Sequence, residues 1–127
     1  MHILVVDDKQ AVRDSLINLL EGNGYKVDSA CNGLDAFEKA QKFNYDLFII
    51  DHLMPIMNGL QLTKNLSQQA ETMLTPILFM TTQGVESINN AAEAQLFSSI
   101  LAKPINEENL LSQVIQLNIK NIQLHSL

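Results

Sequence analysis

The chain has 127 residues, 46% of them hydrophobic and 17% charged, with a net charge of −6. That is the size and balance of one ordinary globular domain, far from a disordered chain. The acidic balance and the lack of any Lys/Arg cluster argue against nucleic-acid binding through phosphate contacts, and no apolar run approaches the ~20 residues of a membrane span.

Short β-branched runs alternate with longer amphipathic stretches along the whole chain. Strands are expected near 2–6, 26–30, 46–50, 76–80 and 98–102, and helices near 10–21, 34–42, 59–69, 86–94 and 106–120. The first run, Ile3-Leu4-Val5-Val6, breaks at Asp7-Asp8, too early for a signal peptide, so a cytoplasmic location is expected. Helix 1 then places Val12, Leu16, Leu19 and Leu20 at core-facing spacing, and Gly22 and Gly24 supply a left-handed end. This Gly-x-Gly closes a helix instead of opening one after a strand, so it is no dinucleotide fingerprint.

Cys31, the only cysteine, follows the second strand and reads as a small semi-buried residue there, with no partner for a disulfide or a thiolate metal site. Asn32-Gly33 turns into the second helix, and Asn58-Gly59 into the third. Glu86 marks the start of helix 4, whose end is less clear because Leu96-Phe97 offers no glycine cap. Asn106 caps the last helix, Glu107 and Glu108 complement its dipole, and Leu110, Leu111, Val114, Ile115 and Leu117 form its apolar face. Residues 1–120 thus read as one domain, with 121–127 extending the last helix or fraying. Asn and Gln together number 22, a bias without a functional reading.

Alternating strands and helices specify βαβ units and a parallel sheet. Five such units fit an α/β, flavodoxin-like doubly wound fold of order 2-1-3-4-5, whose first and third strands flank the switch point where ligands bind. Three apolar runs end there in charge: Val6 in Asp7-Asp8, Ile50 in Asp51, and Ala102 in Lys103-Pro104. Carboxylates 4–5 Å apart repel by ~3–4 kcal/mol at an effective dielectric near 20, so a proton or a cation must compensate. Oxygen ligands in a small site suit magnesium, and magnesium suits a phosphoryl group.

Asp7-Asp8, the run from Asp51 through His52, Leu53, Met54, Pro55, Ile56, Met57 and Asn58 to Gly59, then Thr81, then Lys103-Pro104, each at a strand end, together resemble the receiver domains of two-component response regulators, of the stand-alone chemotaxis type. The resemblance covers nearly the whole chain. It implies Asp51 as the acceptor of a phosphoryl group from a histidine kinase or phosphotransfer protein. Asp8 and Asp51 would be magnesium ligands, with the Leu53 backbone carbonyl as another and Asp7 acting through water. Thr81 and Lys103 would hold phosphoryl oxygens, and Lys103-Pro104 would be a cis peptide. A downstream protein would bind at the face of helix 4, strand 5 and helix 5. The domain would modify itself without turning over a metabolite.

The bland reading of each position is a turn residue, a cap or a solvated charge, and it leaves the convergence unexplained. For His52 the bland reading is preferred: its side chain alternates away from Asp51, which makes it a rim residue. Three positions depart from common receivers: Ile100 replaces an aromatic, Thr82 adds bulk after Thr81, and Leu96-Phe97 replaces Gly-Ala. Leu53 and Gln83 occupy the positions that tune water attack in relatives. Alternatives are an interaction module that signals without phosphate, a magnesium phosphatase lacking the usual Asp-x-Asp, and a receiver cut from a larger regulator.

Overall fold

The computed structural model describes residues 1–125. Five parallel strands, β1 (His2–Val6), β2 (Lys26–Ala30), β3 (Leu47–Asp51), β4 (Ile77–Thr81) and β5 (Ser99–Ala102), form one sheet of order β2-β1-β3-β4-β5. The expected flavodoxin-like topology is therefore present. Strands three to five begin one residue later than expected. Pro76 has no N–H to give a ladder, so β4 starts at Ile77, and Asp46 is instead tied to His2 by its backbone N–H and its carboxylate.

The helices are α1 (Gln10–Glu21), α2 (Gly33–Lys42), α3 (Gly59–Ser67), α4 (Val85–Asn89) and α5 (Glu107–His125), with a 3₁₀ segment at Ala92–Leu96. On one face of the sheet Ile3, Val5, Leu47, Ile49, Leu78, Met80 and Leu101 pack with Leu16 and Leu20 of α1 and Leu110 and Val114 of α5. On the other, Leu4, Val6, Phe48, Ile50 and Phe79 meet Ala36, Ala40, Leu62, Leu66 and Ile88 of α2, α3 and α4. Burial on both faces is why the inner strands read as unbroken apolar runs.

Several local expectations are corrected. Helix 4 is not one element over 86–94: α4 stops at Asn89, Ala91 is extended, and the 3₁₀ segment follows. Asn89 and Asn90 are poor helix formers because their side chains compete for backbone groups. Glu86 does lie in the first turn of α4. Gly22 is right-handed (φ −62°), and only Gly24 takes positive φ (+90°). Ile115 is exposed, because burial on α5 is confined to Leu110 and Val114 with Leu111 and Leu117 partly covered. Cys31 is exposed too, one residue beyond β2, with its N–H donating to the Asp35 carboxylate at 3.2 Å. Residues 121–125 belong to α5, and 126–127 lie outside the described residues.

The connection from β3 to α3 is tightly pinned. Gly59 N–H donates to the His52 carbonyl at 2.8 Å, Gly33 N–H to the Met57 carbonyl at 3.1 Å, and Asn58 and Gln61 cap each other reciprocally. Ile56 sits at φ 71°, between Pro55 and Met57 whose backbones bond at 2.8 Å. A β-branched residue at positive φ is strained, and the pinned ends hold it there.

Candidate functional site

Parallel strands all end at the same side of a sheet, so its carboxyl edge collects whatever follows each apolar run. Asp7 follows β1, Asp51 and Thr81 close β3 and β4, and Lys103 follows β5. Carboxylate oxygens of Asp7, Asp8 and Asp51 all lie within 4.8 Å of one another. Asp7 is fully buried and Asp51 nearly so, whereas Asp8 opens to solvent.

Lys103 resolves part of the crowding. Its Nζ donates to Asp7 Oδ2 at 2.9 Å and to Asp51 Oδ1 at 3.2 Å. Burial works to lower its pKa, but the hydrogen bond to Asp7 and the charges of Asp51 and Asp7 outweigh burial and hold it above the ordinary lysine value. The Asp51 carboxyl is pushed above its ordinary value, chiefly by burial and then by the charge of Asp7, against the opposing pull of Lys103. Lys103, and the exposed Lys9 whose Nζ lies 3.8 Å from Asp8, bring two ammoniums to three carboxylates and still leave a surplus of negative charge. The donors are hard oxygens, one buried pair and one exposed carboxylate, a set that fits magnesium, which keeps several waters.

Further contacts fix Asp7: the Lys9 N–H donates to its Oδ1 at 2.9 Å, and Arg13 Nη1 donates to its carbonyl at 2.8 Å. Arg13 was not singled out from sequence, since a lone arginine on a helix carries no pattern. The Lys103-Pro104 peptide is cis, as the resemblance implied. Leu53 is half exposed, two residues past Asp51. Thr82 and Gln83, which follow Thr81 in the chain, are exposed, and the Thr81 Oγ1 accepts the Gln83 N–H at 3.0 Å.

His52 is not the rim residue expected. It is buried, its Nδ1 lies 3.0 Å from Thr81 Oγ1, and its ring centroid is 5.4 Å from that of Phe79, which stacks on Phe97 at 4.2 Å. The side chain does alternate away from Asp51. With Asp51 opposite Met80, however, that same alternation sets His52 beside Thr81 and against Phe79. Burial pushes the imidazole below its ordinary pKa. Ile100 is partly buried against the same cluster, opposite Phe79 in register.

A doubly wound sheet with an acidic carboxyl edge and an opposed lysine defines a class of phosphoryl-handling signalling domains. The family model described as the response regulator receiver domain matches residues 3–115, and the chain belongs to that family. It is 35% identical over 113 residues to Protein PilH of Pseudomonas aeruginosa, covering 89% of this chain and 93% of that one. The chemotaxis protein CheY4 of Vibrio cholerae superposes with a TM-score of 0.85 at 34% identity, over 91% of this chain and 97% of the other. The response regulator TrrA of Thermotoga maritima, solved in complex with Mg(2+)-BeF, gives 0.83 at 29% identity over 91% and 97%. The chain spans only about half the length of some further relatives. Receiver domains are signalling modules that are phosphorylated on aspartate, bind magnesium in their acidic pocket, and interact with histidine kinases or phosphotransfer proteins and with downstream targets. No helix among the described residues is long and apolar enough to cross a membrane.

Proposed function

We propose that this chain is a cytoplasmic single-domain response regulator, its domain spanning 1–120, which takes a phosphoryl group on Asp51 and thereby alters its binding of a protein partner. The observation that carries this reading is the convergence of Asp7, Asp8 and Asp51 within 4.8 Å, with Lys103 bridging two of them. An Asp51 oxygen forms the new P–O bond as the P–N bond of a phosphohistidine breaks, and the departing imidazole keeps the electron pair. Asp8, Asp51, the Leu53 carbonyl and, through water, Asp7 would hold magnesium, which supplies charge neutralisation to the phosphoryl oxygens when bound. Lys103 would exchange a carboxylate for a phosphoryl oxygen, and Thr81 would donate its hydroxyl to another.

Acetyl phosphate with magnesium tests this by intact mass. The parent gains the mass of one phosphoryl group and Asp51→Asn gains none. An unmodified parent, or a modified Asp51→Asn, overturns the reading. Kinase and partner are proteins on this reading, with the partner at the face of α4, β5 and α5, and no nucleic acid or membrane is involved.

Leu53 shapes the lifetime of the modification. An apolar, half-exposed side chain there cannot orient a water by hydrogen bonding. Leu53→Asn is expected to release phosphate several-fold faster than the parent, and an equal or slower release would count against this role.

One observation favours a second reading, an interaction module that signals without phosphate. Ile100 stands where receivers commonly carry Tyr or Phe, and a branched aliphatic side chain cannot make the large inward swing attributed to that aromatic. The same mass measurement separates the two.

A further inference from the structure

Thr81 is buried, and its hydroxyl has one proton to place. Two groups meet its oxygen: the Gln83 N–H at 3.0 Å, which can only donate, and His52 Nδ1 at 3.0 Å. If Nδ1 carried a proton, both neighbours would donate and the hydroxyl proton would be left in a buried place without an acceptor, which costs free energy. The satisfied arrangement makes Nδ1 the acceptor. The ring itself has little room to follow the threonine, because it lies against Phe79 and Phe79 is stacked on Phe97 at 4.2 Å, 15° from parallel.

We infer that His52 is a positioning residue of the phosphoryl site: its fixed Nδ1 accepts the Thr81 hydroxyl proton and holds Thr81 back until a phosphoryl oxygen competes for that proton. This rests on the role assigned to Thr81 under the proposed function. The latch sets how tightly the phosphorylated form is held, since engagement of the phosphoryl oxygen must break one buried hydrogen bond. Position 52 thereby tunes the balance between the free and phosphorylated states without touching the reacting atoms.

Two measurements decide it. In the free protein, without metal, the ¹⁵N resonance of His52 Nδ1 is expected at the position of an unprotonated acceptor nitrogen, and a protonated Nδ1 in the neutral ring overturns the proposal. Affinity for beryllofluoride in saturating magnesium is then compared by calorimetry in the parent, His52→Phe and His52→Asn. Phe keeps a ring on Phe79 but removes the acceptor; Asn restores an acceptor oxygen near the place of Nδ1.

His52→Phe should bind about fivefold tighter, the equivalent of one net hydrogen bond, and His52→Asn should stay within about twofold of the parent. On a Thr81→Ala background, His52→Phe should change nothing. Unchanged or weaker binding by His52→Phe, or an equal effect with and without Thr81, overturns the latch while leaving the site reading intact. A parent that binds no beryllofluoride, or a Thr81→Ala variant that binds as well as the parent, sinks the site reading itself. Should His52→Phe fail to fold, His52→Met removes the acceptor at similar bulk.

Discussion

Lys103→Met is expected to destabilise the fold by about 3 kcal/mol at neutral pH, because breaking a buried ion pair leaves an uncompensated charge. Here two carboxylates would be stranded. Asp7 and Asp51 are both buried, and the Lys103 ammonium lies 2.9 Å and 3.2 Å from their oxygens. Methionine keeps the stem's packing and removes only the charge and the donors. The Asp51 carboxyl already sits above its ordinary pKa through burial and the charge of Asp7, and loss of the lysine removes the two influences that oppose this.

A carboxyl whose folded pKa exceeds its unfolded value holds more protons when folded, so stability falls as pH rises through that interval and returns as pH falls. The deficit of Lys103→Met should therefore shrink on acidification. The parent behaves differently at the alkaline end: the raised Lys103 pKa contributes stability that is complete below the ordinary lysine value and is lost as pH rises through the folded value. Magnesium should recover part of the deficit at neutral pH, since it binds the folded state preferentially. Urea titrations across pH, with and without magnesium, measure all of this. A deficit that stayed constant with pH would show that the cost arises from packing.

Gly59→Ala is expected to cost about 3 kcal/mol or more. A Cβ at Gly59 would stand 2.2 Å from the Asp51 carbonyl oxygen and 2.8 Å from Phe79 Cε1. Neither neighbour is a flexible side-chain end, so the backbone around Asp51 must shift, and overpacking against backbone exceeds the usual 1–3 kcal/mol range for one extra methyl, roughly speaking. Gly84→Ala is the matched control, because its Cβ meets nothing within 4 Å; it should lie within about 0.5 kcal/mol of the parent. Urea midpoints at constant slope give the comparison. Equal midpoints for the two variants would contradict the close approach of α3 to β3.

The sheet order and most of the site could be read before any coordinates, because both follow from the same fact. Each inner strand is an apolar run cut off by a charged or hydroxyl residue, and parallel strands put those endings on one edge. What escaped reading depended on pairing between distant segments. His52 and Thr81 are 29 positions apart, and their meeting follows from the β3–β4 register, which apolar runs of equal length leave open to a one-residue slip. The positive φ of Ile56 contradicts local propensity outright and exists only because both ends of its loop are tied down. The break after α4 had a local sign in Asn89-Asn90, which the expected helix over 86–94 ran straight through.

That short α4 has a consequence for how large a signal this molecule needs. A helix of five residues cannot sustain itself, and of the elements between Val85 and Leu96 only Ile88 is buried. This stretch is the cheapest unit of the fold to open, whereas the fully buried β3 and β4 open only with the whole domain. A change of about 1 kcal/mol, the scale of a single net hydrogen bond, alters an open-to-closed ratio about fivefold. Applied to a core strand that increment disappears into the global stability. Applied to the α4 stretch it resets a population, so for a switch read out at this face, as proposed above, the sensitivity would be set by its least cooperative segment and not by the strength of the chemistry at the strand ends.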